Sequence, residues 1–453
     1  MNVSTFSASA ADIRFRLLAG GLARLSAWRL TSLALLLPCS LLLALTLHGC
    51  DRQGPADEER VTLVFKHGKI AGDAAAFTEV LKQFERENPD IRIRDETLPA
   101  TTDQQHQFYV INLEGKSSDF DVFSMDVIWV PELARAGWLM DLTHMLPPEE
   151  RSNFFPGPME AVTYEGRVYA VPWYIDAGVL YYRSDLLEEY GFQPPTTWQE
   201  LVRQASAIVR DRPDLYGFIW QGKQYEGLIC NALEYMWSNG GDVVRNGTVL
   251  INSPENREAL SFMSRLISEE EITPAFVTTA IEETTRHIFG NGKAVFMRNW
   301  PYAWNIFERP GSQVRGKVGV ALLPSFSGHE PASTLGGWQL GINKYSRHPK
   351  EAERFIEFLT SYETQKRVAL TIGYKPTRKS LYRDAELMSA QPFIVSLYDV
   401  FEHARPRPVT PYYMMISQIL QPEFSAILSR IKKPEAALRS AEKQIQHVLR
   451  AEE

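Results

Sequence analysis

Residues 168–183 read VYAVPWYIDAGVLYYR: an apolar run broken at Pro172, then a second run ending on Tyr181, Tyr182 and Arg183. Proline has no N–H to give a central ladder, so a strand that carries one lies at an edge or passes from one sheet into another. The stretch is therefore read as a crossing strand. At its break stand Trp173, Tyr174 and Asp176, two aromatic faces beside one carboxylate. That combination suits a flat, hydroxyl-rich ligand, since rings cover apolar faces and a carboxylate accepts hydroxyl protons. The ordinary alternative is a core strand whose Asp caps a helix.

The chain around this stretch has 453 residues, more than one ordinary core holds and enough for two lobes. With 44% hydrophobic and 23% charged residues it is globular in composition, which excludes a disordered or fibrous chain. A formal net charge of -7 lacks the basic excess of a phosphate-tracking surface, so no nucleic-acid partner is expected. Of three cysteines, Cys39 lies in a leading apolar run, Cys50 just after it, and only Cys230 in the body. A disulfide within the body and a zinc site of cysteines are thereby excluded. Cys230 is expected as a small buried hydrophobe.

The amino end carries Arg14, Arg16, Arg24 and Arg29, then the apolar run Leu30–Leu47, then His48-Gly49-Cys50 and polar DRQGPADEER. A basic flank, an apolar segment and a small residue before a processing point describe an export signal. Residues 1–49 are read as leader and 50–57 as a tether. The alternative is an uncleaved anchor, because the run is nearly long enough to span a bilayer. Leu47-His48-Gly49-Cys50 resembles the bacterial lipoprotein processing box. That likeness implies a lipid on Cys50 and a membrane-anchored body outside the cytoplasm.

Along the body, Val61–Phe65, a helix over 74–87 with Phe77, Val80, Leu81 and Phe84 at helical spacing, and Ile91–Arg94 form a β-α-β unit. Phe120–Asp126 is a strand ending on Asp126, at the carboxyl end where open α/β sheets place ligands; the alternative is that Asp126 caps a helix over 129–136. Thr197 and Glu200 have the spacing of a capping box. Ala294–Met297 runs into RNWPYAW, a second aromatic strand end broken by proline and centred on Trp300. Gly336-Gly337-Trp338 is a third: the glycines let backbone approach a ligand and the indole supplies a face. Its alternative is a core tryptophan with glycines relieving crowding. Residues 374–378 read as a turn-rich link, and ARPRPVTPYY at 404–413 as a rigid extended loop presenting Arg405 and Arg407. A helical tail follows over 413–431 and 435–449.

Several chemistries are absent. There is no dinucleotide fingerprint, Walker loop, HExxH pair or G-x-S-x-G elbow, and no metal or cofactor is expected. Asp126 and Asp176 are readable as the acid–base pair of a secreted glycoside hydrolase. They are equally readable as acceptors in a binding cleft, which needs no further machinery.

Six segments in this order, FDVFSMDVIWVPELARAGWLMDL (120–142), YAVPWYIDAGVLYYRSDLL (169–187), GKAVFMRNWPYAW (292–304), GKVGVALLPSF (316–326), STLGGWQLGINKYSRHPKEA (333–352) and ARPRPVTPYY, carry a likeness covering nearly everything after Cys50. The body resembles the extracellular solute-binding proteins of bacterial ABC sugar importers, the maltose-binding-protein-like family. Within it, the likeness is greatest to trehalose/maltose-binding lipoproteins. The resemblance implies an α/β, two-lobed periplasmic-binding-protein fold of the type II kind, with crossing strands and an interlobe cleft. It implies a first lobe over 58–172 and 300–337, and a second over 173–299 and 338–453. It assigns ligand contact to Asp126, Tyr174, Asp176, Trp300, Gly336, Gly337 and Trp338, and to Arg405 or Arg407. The first-lobe contact in KHGKIAGD (66–73) has no secure match. The implied role is capture of an α-linked disaccharide, trehalose or maltose, for an ABC permease with a cytoplasmic ATPase. The implied state is a monomer. Sucrose, a longer oligosaccharide or another polyol are the alternative ligands.

Overall fold

In the computed structural model, which describes residues 60–99, 101–245 and 247–450, the strand Val61–His67 pairs in parallel with Ile91–Thr97. The helix Ala74–Glu87 between them buries Phe77, Val80, Leu81 and Phe84, and Asp73 caps it by accepting from the N–H groups of Ala75 and Ala76. This is the expected β-α-β unit. The leader, the tether and Cys50 lie outside the described residues. Among the described residues no helix is long and apolar enough to cross a membrane.

Two sheets organise the chain. The first has six strands in the order Lys375–Pro376, Val171–Ala177, Leu335–Ile342, Val122–Asp126, Val61–His67, Ile91–Thr97. Its strands from 61–67, 91–97 and 122–126 are parallel, while Leu335–Ile342 runs antiparallel to both of its neighbours. The second has four strands in the order Val318–Ala321, Val179–Arg183, Ala294–Asn299, Tyr216–Ile219. The terminal helices Tyr413–Leu428 and Pro434–Arg450 pack on Glu226–Trp237 and Pro254–Ser268, beside this second sheet.

The opening stretch does pass between sheets, but at Gly178 rather than at Pro172. Pro172 pairs with Gln339 and Tyr174 with Trp338, so Trp173 is an extra residue on its strand. The missing N–H of proline is absorbed at this bulge, inside one sheet. Sheet membership also differs from the expected division at 172/173. The eight residues Leu335–Ile342 are one strand of the first sheet and cannot be cut at 337/338, and Lys375–Pro376 joins the same sheet. Val318–Ala321, expected in the first lobe, belongs to the second sheet.

The two chain passages run side by side. The Gly178 N–H donates to the Thr334 carbonyl at 3.3 Å, and the Ser333 hydroxyl donates to the Gly178 carbonyl at 2.8 Å. Beneath them lies a buried ion pair: Arg298 donates through Nη2 to Glu234 Oε1 at 2.5 Å and through Nε to Oε2 at 2.9 Å. The Thr334 N–H donates to the same Oε1 at 3.2 Å. A Cβ on residue 178 would collide with the Glu234 carboxylate, so glycine is required there.

Candidate functional site

Strand ends from both sheets converge on a cavity of about 460 Å³, inside the range of roughly 300–1,000 Å³ usual for small-molecule sites. Asp126, Tyr174, Asp176, Trp300, Gly336, Gly337, Trp338 and Arg407 all line it. Arg405 does not. Its guanidinium stacks on the Trp237 indole at 4.5 Å and donates to Asp242 Oδ2 at 3.2 Å, away from the cavity. Of the two arginines of this loop, Arg407 alone is in the cavity lining.

Asp126 ends the strand Val122–Asp126 and is only 8% exposed. Its Oδ1 accepts from the Ile128 N–H at 3.3 Å, tightening the turn, and from Arg407 Nη2 at 2.7 Å. The next helix begins at Val130 with no side-chain cap, so capping is not the role of Asp126. Arg407 also donates through Nη1 to Glu226 Oε1 at 2.8 Å, and Glu226 accepts from the hydroxyls of Tyr413 (2.6 Å) and Ser417. Burial raises the Glu226 carboxyl above its ordinary range, and Arg407 with the two hydroxyls pulls it back. Nothing in the sequence marked Glu226. It opens the helix Glu226–Trp237 and meets Arg407 from 181 residues away.

Asp176 is different. No hydrogen bond or ion pair engages its carboxylate among the described residues, and it faces the cavity half-buried. Burial raises its carboxyl to about 7, against the lowering influence of the Lys375 and Arg298 cations. Lys375 comes from the edge strand Lys375–Pro376, which pairs with Ile175 and Tyr174. It is fully buried, donates to Gln391 Oε1 at 2.6 Å and Asn305 Oδ1 at 3.3 Å, and is lowered to about 7 by that burial. Residues 374–378 were expected as a link. Their short strand, tied by side chains rather than by an apolar run, places this lysine under the site.

The aromatic walls are held from behind. Tyr174 stacks on Tyr374 with ring centroids 4.0 Å apart, and Trp338 stands edge-on to Trp129 at 5.6 Å. One face of Trp300 lies over the Arg298 guanidinium, 4.0 Å from the ring centre, which leaves the other face for a ligand. Gly337 has φ +112 and a Cβ there would strike the Tyr174 carbonyl. A Cβ on Gly336 would sit 3.0 Å from the Trp300 ring, so both glycines are needed to bring backbone and indole together. The cavity also takes wall from the loop 68–72, from the start of the helix Thr102–Glu114, and from Glu282 and Glu283. Among the described residues no cluster of His, Cys, Asp and Glu is placed to hold a metal ion.

The model of the bacterial extracellular solute-binding protein family matches residues 68–366. The chain belongs to that family. A probable ABC transporter-binding protein of Deinococcus radiodurans is 40% identical to this solute-binding protein over 361 residues, 78% of this chain and 85% of the relative. The maltose-bound MalE3 of T. maritima is 43% identical, with a TM-score of 0.82, covering 85% of this chain and 99% of that one. A solute-binding protein of Thermotoga lettingae bound with α-D-tagatose is 26% identical, with a TM-score of 0.78 over 86% and 99% of the two chains. The solute-binding protein therefore has the two-lobed α/β periplasmic-binding-protein fold expected from its sequence.

Proposed function

We propose that this solute-binding protein captures an α-linked disaccharide, maltose or trehalose, and delivers it to permease subunits driven by a cytoplasmic ATPase. The observation that carries the reading is Asp176: an unengaged carboxylate beside the open face of Trp300 and against Gly336. A pyranose lays its apolar face on an indole and donates hydroxyl protons to a carboxylate. Likeness to a maltose-bound relative supports the same class of ligand. Closure is a hinge motion of two rigid lobes, favoured because the sugar touches both. No bond is made or broken, since Asp126 is committed to Arg407 and is not free to act as acid or base. In this reading the mature chain is a monomer held outside the cytoplasm by a lipid on Cys50.

Titration calorimetry of the mature chain against maltose, trehalose, sucrose, maltotriose and mannitol tests the proposal. One α-linked disaccharide should bind with micromolar affinity or better. Binding of none of them, or release of free glucose on prolonged incubation, overturns it.

A further inference from the structure

The Trp300 plate has a polar group at each edge, and only one of the two was read from the sequence. Near Gly336 the ring lies next to Asp176: the position of a Cβ on that glycine is 3.0 Å from Trp300 Cζ3 and 3.4 Å from Asp176 Cβ. On the opposite, pyrrole edge, Nε1 donates to Glu282 Oε1 at 3.4 Å. The other oxygen of Glu282 accepts from the Tyr225 hydroxyl at 2.7 Å, and all three residues line the cavity. The backbone is fixed as well, since Asn299, the neighbour of Trp300, donates through Nδ2 to the Glu282 carbonyl at 3.2 Å.

Charge pairing sets Glu282, like Asp176, apart from the other carboxylates on the wall. Asp126 and Glu226 share Arg407, and Glu283 is held by Arg286 and by the Tyr302 hydroxyl. Among the described residues Glu282 has no ion pair, and its side chain is half-buried. An ionised carboxylate offers about four acceptor positions, and two donors meet this one. It stands in the first turn of the helix Glu282–Gly290, where the helix dipole favours a negative charge. Trp300 and Tyr225 each take one bond, to different oxygens, which leaves acceptor capacity on a carboxylate that lines the same cavity as Asp176.

Building on the sugar-binding reading above, we infer that Glu282 is a ligand contact, a second acceptor with unfilled capacity that selects sugars by the hydroxyl reaching the pyrrole edge of Trp300. Asp176 and Glu282 then bracket one pyranose ring lying on the plate. A sugar with hydroxyls at both edges satisfies both, and one lacking either leaves a carboxylate desolvated and unmet.

The test is calorimetry of the wild type, Glu282→Gln and Glu282→Ala against the tightest sugar of the panel and its monodeoxy derivatives. Glu282→Ala should weaken the parent sugar by about 10–100-fold, with Glu282→Gln in between because it keeps one acceptor oxygen. One deoxy derivative should bind the wild type weakly and lose nothing further on Glu282→Ala, while the others lose as much as the parent. Equal loss for every derivative would overturn the inference, leaving Glu282 only a support for Trp300. Unchanged affinity in both variants would overturn it too. A wild type that binds no sugar of the panel defeats the sugar reading itself, and the inference falls with it.

Discussion

If Asp176 accepts sugar hydroxyls as proposed, it should make binding depend on pH in a stated direction. Its carboxyl is raised to about 7 by burial, and the ionised form accepts sugar hydroxyls more strongly than the protonated form, which keeps acceptor capacity but carries a proton of its own. At pH 8 about nine-tenths of the unliganded protein carries the carboxylate and at pH 6 about one-tenth, so affinity should fall between them by up to about tenfold, or about 1.4 kcal/mol. The groups facing Asp176 shape this window. Lys375, on the neighbouring edge strand, is lowered to about 7 by burial and gains its charge as Asp176 loses one, so the two titrate as a pair. Arg298 stays charged, and the hydroxyls of Tyr174 and Tyr374 are pushed well above this range, the latter to about 12, and remain neutral. Stability of the unliganded protein takes the opposite sign. A raised carboxyl contributes no penalty below its unfolded value, an increasing one up to about 7, and the full penalty above. Lys375 contributes its full penalty below about 7 and loses it towards its unfolded value. Calorimetry at pH 6, 7 and 8 in buffers of different ionisation enthalpy measures the coupling. The wild type should release up to about half a proton on binding at pH 7, and Asp176→Asn should bind weakly with no release from this position. Flat affinity from pH 6 to 8, or the same slope in Asp176→Asn, would refute the assignment of Asp176 as the sugar acceptor.

Arg405→Ala should leave sugar affinity within twofold of wild type, whereas Arg407→Ala should weaken it at least tenfold by leaving Asp126 and Glu226 buried without their cation; calorimetry of the two variants, each with a melting curve, separates them. Glu234→Leu should lower unfolding free energy by about 3–5 kcal/mol in urea titrations, since it strands Arg298, and Glu234→Leu/Arg298→Met should recover most of that loss. A double variant as unstable as the single one would show that packing, not charge, dominates there.

What the sequence made legible was local. Phe77, Val80, Leu81 and Phe84 announce their helix by spacing, and Thr197 with Glu200 announces a capping box that the structure contains, each side chain bonded to the other's backbone N–H. The three aromatic strand ends were visible because proline or paired glycines interrupt an apolar run, and these interruptions are what open a cavity. The helix Thr102–Glu114 was not legible: TDQQHQFYVINLE buries only Gln105, Tyr109 and Leu113, and a glutamine in the buried row hides the apolar stripe. Pro172 signalled a break correctly but not its kind, because a bulge and a sheet crossing both remove a ladder N–H. Partners that meet only through the fold were out of reach. Lys375 beneath Asp176, Glu226 beside Arg407 and Glu282 beside Trp300 lie in segments with no interrupted run to mark them.

The hinge and the site share their parts. Arg298 holds the Glu234 carboxylate under both chain passages and also supports Trp300, two residues further along. Breaking a buried ion pair is costly, so in the proposed closure Gly178 and Thr334 would pivot over a fixed bearing, and the indole would keep its tilt relative to that bearing. Arg407 works at the opposite wall. Glu226, Tyr413 and Ser417 attach it to the helices of the second lobe, while Asp126 belongs to the first sheet. The ion pair between Arg407 and Asp126 therefore crosses the cleft, and the proposed opening of the lobes would break it. In the proposed reading a bound sugar would offer hydroxyls to the same two charges, so closure would exchange solvent for partners already aligned. The pivot fixes where the indole stands and the crossing pair fixes how far the lobes approach. In that reading specificity falls to the two wall carboxylates without an ion pair among the described residues, Asp176 and Glu282.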